Sequence, residues 1–255
     1  MTARAARILS SLAAVLLTAA CTSYYEIPIE TPIRPKLDVT AFQRVLVAGF
    51  IAGGTEDVDG NLETTRLLRS QLRTKSEMRV IDTDVLPLMD VAAEGQGAEK
   101  AIETTPAGTP APIKDDKDLE PYEHLFADVA YWKKVGEEYQ QPLIVTGTVM
   151  FAPQQRSGIV QRDQEVYDSL GRRRVVPVRT YMERKGFVLK PRFVFIDGRT
   201  GAVLHSENFR EEILYNANQT TPALSSYFEL MDRLIPSFLS TLSSQKIKGT
   251  RVLLQ

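Results

Sequence analysis

Three stretches of this 255-residue chain carry side chains of reactive type, and each has a plainer reading beside the chemical one. Asp57, Asp59, Gly60, Asn61 and Glu63 (DVDGNLE) match the first half of a calcium loop, in which carboxylates and carbonyls wrap a hard cation. The second half fails: the sixth position calls for Gly and is Leu62, and the twelfth calls for a bidentate Glu and is Leu68. A solvated helix start is expected there instead. Gly49, Gly53, Gly54 and Thr55 fall between a strand and a helix, as in a phosphate-cradling turn. No Lys follows them, and Glu56, Asp57 and Asp59 would repel the anion. His205 beside Ser206 and Glu207 has the ingredients of a hydrolase, yet neighbours in a strand point to opposite faces. No G-x-S-x-G elbow presents a serine. His124 and His205 are the only histidines, which leaves little for a histidine-based metal site. No catalytic residue, metal or cofactor is expected, and the chain is not expected to be an enzyme.

Two further groups point to attachment and contact. Residues 1–21 (MTARAARILSSLAAVLLTAAC) open with Arg4 and Arg7, continue with an apolar run from Ile8 to Ala20 and end in the only cysteine. The run is too short to span a bilayer and reads as an export signal, 1–20, that is removed. Leu17, Thr18, Ala19 and Ala20 before Cys21 resemble the lipobox of bacterial lipoproteins. That resemblance implies that Cys21 is acylated, with palmitate among the chains, and becomes the mature N-terminus. The expected partner is membrane lipid. Thr22 follows the cysteine where an Asp is absent, which resembles lipoproteins sorted to the outer membrane and facing the periplasm. Arg172, Arg173 and Arg174, with Arg179, Arg184 and Lys185 nearby, form the candidate interaction site, for anionic headgroups or other envelope anions. A solubilising hairpin tip is the plainer reading.

Composition bounds the rest. With 43% hydrophobic and 25% charged residues the chain can build one sizeable core. The net charge is −1, and removal of a leader with two arginines and no acid makes the body more acidic, which argues against a general nucleic-acid surface. With Cys21 taken by lipid no disulfide can form, so stability must come from packing.

The elements that would position these residues follow from periodicity. Residues 21–40 are expected to be a lipidated tether, because Pro28, Pro32 and Pro35 forbid helix. At about 3.1 Å per residue its stretch from Thr22 to Lys36 would reach roughly 45 Å from the lipid. Ile27, Ile29 and Ile33 also suit a sheet edge. Phe42 to Ile51 reads as a central strand buried on both faces. Asn61 to Lys75 reads as a helix with Leu62, Leu68 and Leu72 near one face, its acids at the start and its bases toward the end. Met78 to Asp82 is a short strand, and Thr83 to Ala93 a short helix interrupted by Pro87. Residues 92–118 have almost no bulky apolar residue and are expected to be a flexible insertion. A helix is expected over 120–140, with Trp132 in the core, then a strand over 143–151. Residues 152–186 read as a polar hairpin, and 187–196 and 202–214 as strands flanking the turn Asp197, Gly198, Arg199, Thr200, Gly201. Thr221 and Pro222 resemble an N-cap and first helical position. The stripe Leu224, Phe228, Met231, Ile235, Phe238, Leu242 then packs a long helix on the sheet.

RVLVAGF at 44–50, MRVID at 78–82, PLIVTGTV at 142–149 and VFIDGRTGAVL at 194–204 occur in an order that resembles an α/β domain. It is the one shared by the curli-secretion lipoprotein CsgG, the N-terminal domain of TolB and LpoB. The resemblance spans most of residues 40–245 and implies a role in envelope assembly, as a pore, a scaffold or an activator of periplasmic enzymes. The expected fold is therefore α/β (α+β): a mixed β-sheet packed by two to three helices, with a protruding polar hairpin. It fills a single domain over 41–245, followed by a tail over 246–255. The expected function is that of a membrane-anchored, non-enzymatic scaffold or assembly factor of the cell envelope, with an envelope protein as partner and homo-oligomers left open. A subunit of an outer-membrane secretion channel is the alternative. Gln161, Asp163 and Glu165 alternate with Val160, Arg162 and Gln164, which leaves neither face of that strand apolar enough for a barrel. A periplasmic enzyme is the third option.

Overall fold

Strands and helices follow the chain largely where the hydrophobic periods require them. The computed structural model describes residues 24–95, 113–216, 218–219 and 221–254. Its elements are β1 (Tyr24–Ile33), β2 (Arg44–Gly54), α1 (Gly60–Lys75), β3 (Arg79–Val80) and α2 (Leu88–Gly95). A 3₁₀ turn (Asp116–Tyr122), α3 (His124–Ala127), α4 (Val129–Glu138), β4 (Leu143–Tyr167) and β5 (Arg173–Asp197) come next. The last are β6 (Val203–Asn208), β7 (Glu211–Asn216), α5 (Ala223–Leu242) and β8 (Gln245–Leu254). They form two units, Lys36–Ser243 and the segments that flank it.

The larger unit is a mixed sheet with helices on both faces. Its strand order is β3-β2-β4-β5-β6, and β7 also pairs with β5. β3, β2 and β4 run parallel, because the chain crosses over through helices between them, and β5 turns back antiparallel on β4. β2 is buried along most of its length, as its unbroken apolar run predicts. On one face α1 and α5 cover Val47, Val145, Phe193 and Phe195. On the other, α2, the 3₁₀ turn, α3 and α4 cover Leu46, Ile144, Val194 and Ile196, with Trp132 fully buried and its indole N–H donating to the Leu125 carbonyl at 2.8 Å.

Several elements depart from expectation for local reasons. The helix expected over 120–140 is three pieces, since Pro121 sits in the 3₁₀ turn and Asp128 caps a fresh start, accepting from the Tyr131 N–H at 3.0 Å. Pro87 precedes α2 and does not interrupt it. The insertion drawn at 92–118 is too wide, because Ala92 is buried within α2 and Ile113, Leu119 and Tyr122 are core residues. Residues 96–112 lie outside the described residues. The strand read at 202–214 is two, β6 and β7, which pair with different stretches of β5. Pro222 is the cap and α5 begins one residue later. Leu224, expected in its stripe, is 44% exposed, and Tyr227, Leu230 and Leu234 fill the buried face instead.

The smaller unit is a two-stranded ribbon. β1 and β8 pair antiparallel from Tyr24↔Leu254 to Ile33↔Gln245. The stretch read as a tether is thus a strand, with the alternation of Ile27 and Ile29 that suits a sheet edge, and the stretch read as a tail is its partner. Pro28 and Pro32 are tolerated because each strand of a ribbon has an open edge.

Candidate functional site

One feature of the larger unit extends beyond its sheet. β4 and β5 are 25 residues each and pair in unbroken register from Leu143↔Asp197 to Tyr167↔Arg173. The base of this hairpin is core: Leu143 to Phe151 and Phe193 to Asp197 are buried. Neighbouring strands then run out. β2 ends its pairing at Gly54↔Phe151, and β7 ends at Arg184↔Asn216. From Ser157↔Glu183 outward the hairpin is a ribbon of two strands alone among the described residues, projecting about 36 Å at 3.3 Å per residue. Nothing along it is fully buried. Leu170 at the tip is 75% exposed and Tyr181 67%.

The tip is a built turn. The Asp168 carboxylate accepts from the backbone N–H groups of Leu170 and Arg172, both at 2.9 Å, and from the Arg172 Nε at 2.9 Å. Those hydrogen bonds, the Arg172 N–H first, hold its pKa below the ordinary carboxylate value. Gly171 takes the left-handed φ of 74° that closes the loop.

The three candidate arginines are therefore parted. Arg172 turns in to Asp168, and Arg173 pairs with Glu165 at 3.0 Å on one face. Arg174 lies opposite Val166 on the other face. Directly paired residues share a face and successive residues alternate. One face of the free ribbon therefore holds Asp163, Glu165 and Glu183 with Arg173 and Arg179. The other holds Arg162 and Arg174 among Val160, Val166, Val176, Val178 and Met182, with no acid. Strand alternation alone could not reveal this sorting, because it depends on the register across the turn. The signal that sets the register is Asp168 and Gly171, three residues apart in the turn.

The other sequence candidates have structural employment. Asn61 accepts the Phe50 N–H at 2.7 Å, Asp59 caps α1 by accepting from the Leu62 N–H at 3.0 Å, and Asp57 bonds the Thr55 hydroxyl at 3.0 Å. Among the described residues no group of three or more His, Cys, Asp or Glu side chains is arranged to hold a metal. Gly53, Gly54 and Thr55 line an open cleft of about 340 Å³ at the end of β2, with Phe50, Met89 and Ile113 as apolar walls and Glu56 and Asp59 also lining it. His205 is half-buried, its ring 6.0 Å from that of Phe195, and its Nε2 lies 3.4 Å from Glu207. Glu207 also pairs with Lys36 and accepts from the Thr241 hydroxyl at 3.1 Å. Burial pushes the Glu207 carboxyl up, but those hydrogen bonds outweigh it and hold its pKa low. Ser206 points the opposite way, accepting from the Arg192 Nε at 3.1 Å. His124 contacts the Pro121 carbonyl at 2.7 Å. Cys21 lies outside the described residues. No helix among them is long and apolar enough to cross a membrane.

No family model matches the chain, and no curated protein does. Among solved structures it is similar to the lipoprotein GNA1162 from Neisseria meningitidis, at 13% identity and a TM-score of 0.34, covering 77% of this chain and 97% of that one. It is also similar to the PelC dodecamer from Paraburkholderia phytofirmans, at 13% identity and a TM-score of 0.36, covering 85% and 99%. Likenesses this distant carry no argument about what the chain does.

Proposed function

We propose that this protein is a lipid-anchored, non-enzymatic scaffold or assembly factor of the cell envelope, held by acylated Cys21 at the outer membrane and facing the periplasm. The observation that carries the contact role is the β4–β5 hairpin. Its outer half buries no core residue and fills no space within its own unit. Its turn is nevertheless fixed by five hydrogen bonds on Asp168 and Gly171. Membrane attachment raises the local concentration of such a ribbon around a partner, so that a weak contact suffices. An envelope protein is the partner this reading requires.

A channel subunit is the second reading, and the length of the free strands favours it, since about 9 to 11 residues span an outer membrane. Its difficulty is charge. Whichever face met hydrocarbon would present Arg162 and Arg174 or Asp163, Glu165 and Arg179, and an arginine at the bilayer midplane costs about 2–4 kcal/mol.

Cross-linking of the intact protein in membranes, followed by its recovery, tests both readings. A stoichiometric envelope protein that is lost when residues 157–183 are replaced by a two-residue turn supports the scaffold. A detergent-stable ring of this chain alone supports the channel, and turnover of a periplasmic substrate would overturn both. Metabolic labelling with a palmitate analogue should mark the wild type and leave Cys21→Ala unlabelled.

A further inference from the structure

The hairpin sorts its charges by face, and the two faces suit different surroundings. Beyond β7 the acids Asp163, Glu165 and Glu183 all fall on one side, where Glu165 pairs with Arg173. With Lys185 on the same side, 3.6 Å from Glu183, three bases balance the three acids and that side neutralises itself. The opposite side carries Arg162 and Arg174, neither of them in an ion pair among the described residues, set between aliphatic side chains. Val166 and Val176 there are 43% and 41% exposed. Arg184 continues the row toward the sheet. Unpaired guanidinium groups among aliphatic side chains lack an anion, and a ribbon of two strands alone has no second layer to enclose a small one.

We propose that the acid-free face of the β4–β5 hairpin docks on a bilayer rich in anionic phospholipid, its arginines on headgroup phosphates and its valines at the level of the glycerol backbone. Charge complementarity selects an anion, because guanidinium binds phosphate in a planar, two-pronged way and each basic residue near an anionic surface gains about a factor of five. The aliphatic residues select a bilayer over an acidic protein surface. An interface accepts apolar and cationic side chains together without shape complementarity, and long basic side chains reach the headgroups while their stems stay in apolar surroundings. Such a contact turns the self-neutralised face, with Ile159 and Tyr181, away from the lipid and toward the periplasm. The inference deepens the anchored-scaffold reading and rests on it for the proximity of the membrane.

The test uses the full mature acylated chain, whose only native cysteine is blocked by lipid. An environment-sensitive fluorophore is placed on Gln164→Cys, on the acid-free face, or on Gln161→Cys, on the other. Vesicles are phosphatidylcholine alone or with about one third phosphatidylglycerol. The Gln164 reporter should shift to the blue and resist an aqueous quencher only on the anionic vesicles, and the shift should disappear at about 0.5 M salt, where screening is nearly complete. The Gln161 reporter should not respond. Arg162→Gln with Arg174→Gln should weaken the response roughly 25-fold, whereas Arg173→Gln with Arg179→Gln should leave it within about twofold. Equal responses of the two reporters, or of the two vesicle types, would overturn the proposal. So would a blue shift that grows with protein concentration without vesicles, which would seat a second copy on this face. Flotation separates the two layers of inference. A chain that floats with neutral vesicles while Gln164 stays silent keeps the anchor and loses the docking face. A chain that floats only with anionic vesicles, with Gln164 responding, does the reverse.

Discussion

Asp197 opens the turn that joins β5 to β6, and its carboxylate is almost wholly withdrawn from solvent. It accepts from the Arg199 N–H at 2.8 Å and from the Arg199 side chain at 3.0 and 2.9 Å, while the guanidinium lies 4.9 Å from the centre of the Phe42 ring. Burial alone would raise its pKa. The Arg199 hydrogen bonds and charge outweigh burial and hold it below the ordinary value of 3.8. A depressed carboxylate contributes stability that is complete above its unfolded pKa and is lost as pH falls through the folded one. Asp197→Asn should therefore cost about 1–3 kcal/mol at neutral pH, from weakened charge-assisted hydrogen bonds. The gap to wild type should close below about pH 4, as read by urea titrations at several pH values. A gap that stays constant down to pH 2 would remove Asp197 as the cause. The same turn is seated by contact with α4. A methyl at Gly136 would stand 1.8 Å from the Gly198 carbonyl oxygen, so Gly136→Ala should cost about 2–3 kcal/mol by overpacking, measured as a lower urea midpoint.

At the scale of elements, β2 shows what a sequence reveals and what it withholds. Its apolar run announces a buried strand, but the bulge between Val47 and Gly49 does not follow from hydrophobicity. Gly49 has a φ of 128°, and the irregular backbone around it is satisfied from four directions. Asn61 accepts the Phe50 N–H, Arg69 donates to the Val47 carbonyl at 2.8 Å, the Leu86 N–H to Ala48 at 2.8 Å, and the Thr146 hydroxyl to Gly49 at 2.9 Å. Asn61 invites a calcium reading only because a helix start and a calcium loop draw on the same residue types, and long-range partners decide between them. Arg69 looks like a surface base on α1, yet its burial lowers its pKa and ties the helix to β2 and to the Thr83 carbonyl. Asn61→Ala should strand the Phe50 N–H and cost about 1–3 kcal/mol, while Asn61→Asp, which keeps the acceptor, should cost less. Equal losses in thermal melts would show that the side-chain volume matters and the acceptor does not. For the same reason the central strands, α1, α5 and the long hairpin were legible. The split of β6 from β7 and the pairing of β1 with β8 were not, because each depends on partners remote in sequence, and the broken helix around Asp128 was hidden because a local cap overrides the apolar period there.

For the molecule as a whole, the division of labour inside the larger unit makes the sharpest forecast. Every fully buried residue of that unit lies outside 152–186, and the stacked ring pair Phe151 and Phe187 marks where the core stops. The outer ribbon is held by its own ladder, by Asp168 in the turn and by exposed ion pairs such as Arg173–Glu165, which contribute little to global stability. An isolated hairpin is marginal in water. It follows that residues 157–183 can open without the body. Amide exchange there should be faster than in residues 143–151 of the same strand by several orders of magnitude. Joining Arg156 to Arg184 through Asn-Gly should leave the melting temperature within about 3 °C, as expected for surface changes, and the urea m-value nearly intact, since little apolar surface is removed. Membrane cross-links should vanish in the same variant. A fall of 10 °C or more would mean instead that the ribbon supports the body, and its exposed faces would then have to be explained as scaffolding for the fold and not as a surface for something else.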